Sequence, residues 1–63
     1  MDAYKQRVVD EKRELDIKGA ALANFVGSPA YNELGPVAQN HLDMQLQAMT
    51  LYSRILKMRI ESF

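Results

Sequence analysis

The sequence predicts an all-α fold: an antiparallel two-helix hairpin with a short connecting turn, assembled into a homo-oligomer. Three observations carry this. Two long stretches have apolar residues at helical spacing and strand alternation is absent. One breaker-rich stretch, "GSPAYNELGP", separates them. The second long stretch, typified by "HLDMQLQAMTLYSRILKMRI" at 41–60, has too many apolar side chains for one helical face.

The first helix is expected over about residues 2–26. Val8, Leu15 and Leu22 recur every seven residues, with Tyr4, Phe25 and Val26 near the same stripe. Strong helix formers dominate the segment. Gly19 is its weak point and would suit the close approach of another backbone or a ligand. Gly27 fits the position just past a helix end, where a left-handed conformation is needed.

The connector spans 27–35. Ser28-Pro29 reads as an N-cap followed by proline at the first helical position, so "PAYNEL" can form a single turn. Gly35-Pro36 repeats the signal and opens the second helix, expected over about 36–62. Two helices of about 25 residues, each roughly 37 Å long, then lie side by side. Residues 1–63 make a single helical-hairpin domain, with no internal repeat.

Rotation of about 100° per residue sorts the second helix into two stripes. Leu42, Leu46, Met49, Leu56, Ile60 and Phe63 form one, with Ser53 among them. Met44, Ala48, Leu51, Ile55 and Met58 form another, almost opposite. Between Ala38 and Ser53 the only formally charged residue is Asp43. A helix packed on one neighbour needs one apolar stripe, and an uncovered second stripe is a liability in water. The first helix carries a weaker second set in Ile17, Ala20 and Ala21, and its charges are dense enough for Lys12–Asp16 and Glu14–Lys18 pairs at i,i+4. The expected oligomer interface therefore comprises Leu42, Met44, Leu46, Met49, Leu51, Ile55 and Met58. A partner protein covering the second stripe is the rival reading.

Composition limits the function further. A chain of 63 residues gains little stability from one core, and with no cysteine it has no disulfide or thiolate metal site. The absence of cysteine suits a reducing cytoplasm, and no leader-like or membrane-spanning apolar run is present. Eight basic and eight acidic residues cancel, which disfavours general DNA or RNA binding. No enzyme signature or cofactor motif stands out. His41 and Asp43, at i,i+2, do not face each other on a helix, so no metal site is expected.

A few residues suit ligand binding. Lys18, beside the Val8/Leu15/Leu22 stripe and directly before Gly19, could lay its stem on the seam and offer its ammonium to an anion; the plain alternative is a surface lysine. Tyr4 could stack on a base or cap the hairpin's end. Arg54, Lys57 and Arg59 complement the helix dipole, and in a symmetric assembly they would recur as a positive ring.

"YKQRVVDEKRELDIKGAALANFV", a short loop with "AYNEL", and "QLQAMTLYSRILKMRI" together resemble a group of small phage helical-hairpin proteins. The group includes the crAss-like-phage small-protein family and the anti-CBASS and anti-Thoeris sponges. The likeness covers nearly the whole chain, in the patterns E-K-x-E-L-D and M-x-x-Y-S-x-I-L-x-x-R-I. It implies a homo-oligomer, typically a hexamer, that sequesters cyclic oligonucleotide or cyclic ADP-ribose-type signals in the host bacterial cytoplasm without catalysis. It also implies ligand-binding roles for Tyr4 in base stacking, for Lys18 before Gly19 at a phosphate, and for Arg54 at a second site between protomers. Little precedes Tyr4, where the sponges carry an extension that helps close the pocket. The alternative function is a protein-interaction module that docks its second apolar face on a host protein.

Overall fold

The computed structural model describes residues 2–63. Among them every regular element is helical: α1 (Ala3–Phe25), α2 (Pro29–Asn32) and α3 (Pro36–Glu61). The two-helix description therefore needs a correction, because the connector holds a helix of its own. Its cause is local. Ser28 caps the turn by accepting from the Tyr31 amide at 3.2 Å, and Pro29 fixes the first helical position.

α1 begins where Asp2 accepts a hydrogen bond from the Lys5 amide at 2.9 Å, satisfying one of the free donors of the first turn. It ends as the chain turns through Gly27, whose φ of 86° a side chain would resist. α3 starts at Gly35-Pro36 without a side-chain cap. Gln39, inside the helix, reaches back to the connector. Its side-chain amide donates to the Tyr31 and Leu34 carbonyls, both at 3.0 Å, and so ties the connector to α3. The Tyr31 hydroxyl donates to Asp43 at 2.7 Å, and its ring meets Phe25 edge-on at 6.3 Å. One tyrosine thus links the end of α1 to α3.

α1 packs along α3, and their contacts run in opposite order. Tyr4 meets Arg59, Asp16 meets Ser53, and Gly19 lies beside Met49. The result is a rod with Cα extents of 46 × 14 × 13 Å. Among the described residues only Val8 and Leu56 are buried hydrophobic residues. Leu15, Leu22, Leu42, Leu46, Met49 and Ile60 flank them half-buried, so one stripe of each helix forms a thin seam. The other stripe of α3 stays in solvent, with Met44 57%, Leu51 54%, Ile55 40% and Met58 55% exposed.

Candidate functional site

The residues singled out from the sequence fall in three places. Tyr4 lies at the open end of the rod, where its hydroxyl accepts from the Arg59 guanidinium at 2.8 Å. Its ring is 6.1 Å from that of Phe63, and the Lys5 ammonium stands 5.6 Å from the Phe63 centroid. Two aromatic rings and two cations therefore share one end, and Tyr4 is still 52% exposed. Lys5 and Phe63 were not expected there. The available signal was the opposed order of the helices, which brings the start of α1 to the end of α3.

Lys18 and Gly19 lie near mid-rod, roughly 21 Å along α1 from Tyr4 at 1.5 Å per residue. Lys18 is exposed, and among the described residues it forms no ion pair. Of the two i,i+4 pairs read from the sequence, Lys12–Asp16 forms at 2.6 Å and Glu14–Lys18 does not; Arg13 instead meets Asp10 at 3.1 Å. Gly19 is half-buried and lines a cleft of about 280 Å³ with Leu15, Asp16, Leu46, Met49 and Ser53. A Cβ added at Gly19 would find only the tip of Met49, at 4.0 Å. Packing of α1 on α3 therefore does not require the glycine.

Asp16 and Ser53 stitch one flank of the rod together by a hydrogen bond from the serine hydroxyl to the carboxylate. The Lys12 ammonium, and after it the Ser53 hydroxyl, hold the Asp16 carboxyl below the usual carboxylate range. At the connector, donation to the Asp43 carboxylate pushes the Tyr31 phenol above its ordinary value.

Arg54 is exposed and lines an open groove with Gln47, Thr50 and Leu51. Helical rotation puts it on the Asp16–Ser53 flank, whereas Lys18 is on the flank shared by Tyr4 and Arg59. One chain does not bring Lys18 and Arg54 together. Of the residues expected at an oligomer interface, Leu42, Leu46 and Met49 are half-buried on the stripe facing α1, and Met44, Leu51, Ile55 and Met58 face outward. His41 is exposed, and the described residues contain no group of three or more potential metal ligands.

The grooves are troughs on a rod built from only two long helices. A helix with its side chains is about 10–12 Å across, so two of them cannot surround a ligand as a pocket does. Leu51 of the outward apolar stripe of α3 lines the Arg54 groove, and a surface docked on that stripe would wall this groove in.

A family model described as Sequestin matches residues 2–62. The chain belongs to the Sequestin family. Membership agrees with the resemblance to small phage proteins, and the family's name suggests a sequestering role. No curated protein and no solved structure matches the chain. None of the described helices is long and apolar enough to cross a membrane.

Proposed function

We propose that this Sequestin-family chain is a phage anti-defence protein that sequesters cyclic nucleotide immune signals, those of CBASS or Thoeris systems, in the host bacterial cytoplasm. In this reading helical hairpins assemble into a homo-oligomer, a hexamer on the pattern of the phage proteins they resemble, and the messenger binds between protomers without being transformed. Tyr4 offers a face for a base, Lys18 beside Gly19 offers an ammonium for a phosphate, and Arg54 offers a guanidinium fork at a second interface.

The observation that carries this reading is the outward α3 stripe in a chain of this family. The stripe gives copies a reason to associate, and association would supply walls that the open troughs lack. Sequestration needs only binding, so unpaired cations beside a wall are a sufficient set of groups. Isothermal titration with cyclic di- and trinucleotides and cyclic ADP-ribose isomers tests it directly. Binding to at least one ligand is expected, with Lys18→Ala and Arg54→Ala each weakening it by about 1–3 kcal/mol, the range for losing a charge-assisted hydrogen bond. Silence across the panel overturns the reading. The same exposed stripe supports a protein-interaction module as the second reading; a folded chain that stays monomeric and binds no nucleotide would favour it.

A further inference from the structure

The exposed stripe of α3 has a more specific order than amphipathicity alone. Val37, Met44, Ala48, Leu51, Ile55 and Met58 advance by alternating steps of three and four residues once His41 is counted in the gap. This is the spacing of a coiled-coil seam. It lies on the side of α3 away from Leu56, which is fully buried against α1. Val37, 68% exposed, extends the seam to the first turn of the helix.

The polar residues beside the seam decide which direction a second helix can take. One edge carries Asn40, Gln47, Arg54 and Glu61; the other carries Ala38, Gln45, Tyr52 and Arg59. In a parallel pair each residue of the first edge meets the residue five positions later on the partner's second edge. That sets Arg54 against the partner's Arg59 twice, with no carboxylate between them, and like charges directly across a seam repel. In an antiparallel pair each edge meets its own kind. With Ala48 facing the partner's Leu51, Arg54 lies beside the partner's Gln47 and Asn40, and Arg59 lies beside the partner's Ala38 and Gln45. No like charges then oppose each other, and the small Ala48 sits near the twofold axis, where the helices come closest.

We infer that the occupant of this face is a second copy of the same chain, docked antiparallel through α3 with Ala48 against the partner's Leu51. The inference rests on the homo-oligomer part of the proposed function and adds direction and register. It also sorts the candidate ligand groups. The edge carrying Arg54 pairs with the partner's same edge, so two Arg54 side chains line one groove of the dimer. Lys18 lies on the flank of the opposite edge, so the two Lys18 side chains belong to the other groove. The dimer therefore presents two kinds of cationic groove.

Because the chain has no cysteine, single cysteines report the geometry cleanly. Asn40→Cys and Gln47→Cys, both at exposed polar positions, would carry nitroxide labels for pulsed electron paramagnetic resonance on the intact assembly. The antiparallel register offsets the two Gln47 positions by five residues, about 8 Å along the axis, and the two Asn40 positions by nineteen residues, about 28 Å. A short distance at 47 and a shortest distance near 30 Å at 40 is the expected result. Short distances at both sites mean a parallel pair and overturn the inference, as does the absence of any interchain distance. Calorimetry with cyclic nucleotides on the unlabelled parent protein separates the two readings. The expected distances without nucleotide binding would leave the seam standing and remove sequestration, and binding with parallel distances would do the reverse.

Discussion

Replacing Leu51 by glutamate isolates the outward stripe from the fold. Leu51 is 54% exposed in the single chain. Complete burial of a leucine contributes about 1.5–3 kcal/mol, so the half not yet realised is about 0.8–1.5 kcal/mol per copy, or about 2–3 kcal/mol for a symmetric pair. A carboxylate at the seam adds a desolvation cost of several kcal/mol wherever it cannot reach water. The floor of about 2–3 kcal/mol already weakens association by about 30- to 150-fold. Folding within one chain should change little, because surface substitutions mostly fall within about 0.5 kcal/mol. Leu56→Ala provides the contrast. Leu56 is 0% exposed, and truncating such a residue costs about 2–5 kcal/mol of folding stability, a large part of what a chain of this size has. Analytical ultracentrifugation and circular dichroism melts over a range of concentrations distinguish the two. The parent should melt at higher temperature as concentration rises. Leu51→Glu should sediment as a smaller species, and Leu56→Ala should lose helix at every concentration. If Leu51→Glu sediments like the parent, or if the parent is a folded monomer at every concentration, the stripe is not an interface and the reasoning fails.

Three other expectations are independent of that one. Gly19→Ala should raise helix stability by up to about 1 kcal/mol, since alanine is the better helix former and the added methyl meets only the Met49 tip; thermal melts check this, and a loss of nucleotide binding in the same variant would assign the gap above Gly19 to a ligand. The Asp16 carboxyl is held below its ordinary value by Lys12 and Ser53. Its contribution is therefore present above the unfolded value of about 3.9 and lost as pH falls through the lower folded value, so an acid titration of stability should flatten at its low-pH end in Asp16→Asn. Tyr31→Phe removes the hydroxyl that joins the connector to Asp43 and should lower the melting temperature at neutral pH. The Tyr31 phenol is raised, so the parent keeps that contribution below about pH 10 and loses it as pH rises through the folded value; stability curves of parent and variant should converge at the alkaline end.

The helices were legible because their signals are local. Ser28-Pro29 and Gly35-Pro36 mark starts through cap chemistry, Gly27 marks an end through its left-handed φ, and the two stripes of α3 follow from a fixed angular step. The four-residue α2 was readable only as a single turn, since its permanence depends on Gln39 and Asp43, which reach the connector from α3. The candidate site was less legible. Tyr4 could be named from its place on α1, but Phe63 and Arg59 join it only because α1 and α3 run in opposite order. The Asp16–Ser53 hydrogen bond likewise links residues 37 positions apart. Spacing alone could not show that Lys18 and Arg54 stand on different flanks, because that depends on which stripe of α3 meets α1.

Thinness joins the stability question to the binding question. A rod with two buried hydrophobic side chains among its described residues, Val8 and Leu56, has little apolar burial to set against the conformational entropy of its ordered residues. The same thinness leaves every groove open on one side. Covering the outward stripe of α3 with another α3 would address both, by burying Met44, Leu51, Ile55 and Met58 and by raising a wall beside Arg54 on one edge and beside the Lys18 flank on the other. Ligand affinity and assembly are then thermodynamically linked: a ligand held between protomers must favour the assembled state by as much as assembly favours the ligand. Diluting the protein should therefore weaken apparent affinity, and saturating ligand should shift the sedimentation profile toward the larger species. A ligand that binds equally well at all protein concentrations occupies a site within one chain, and the trough geometry described above would then be the wrong account of it.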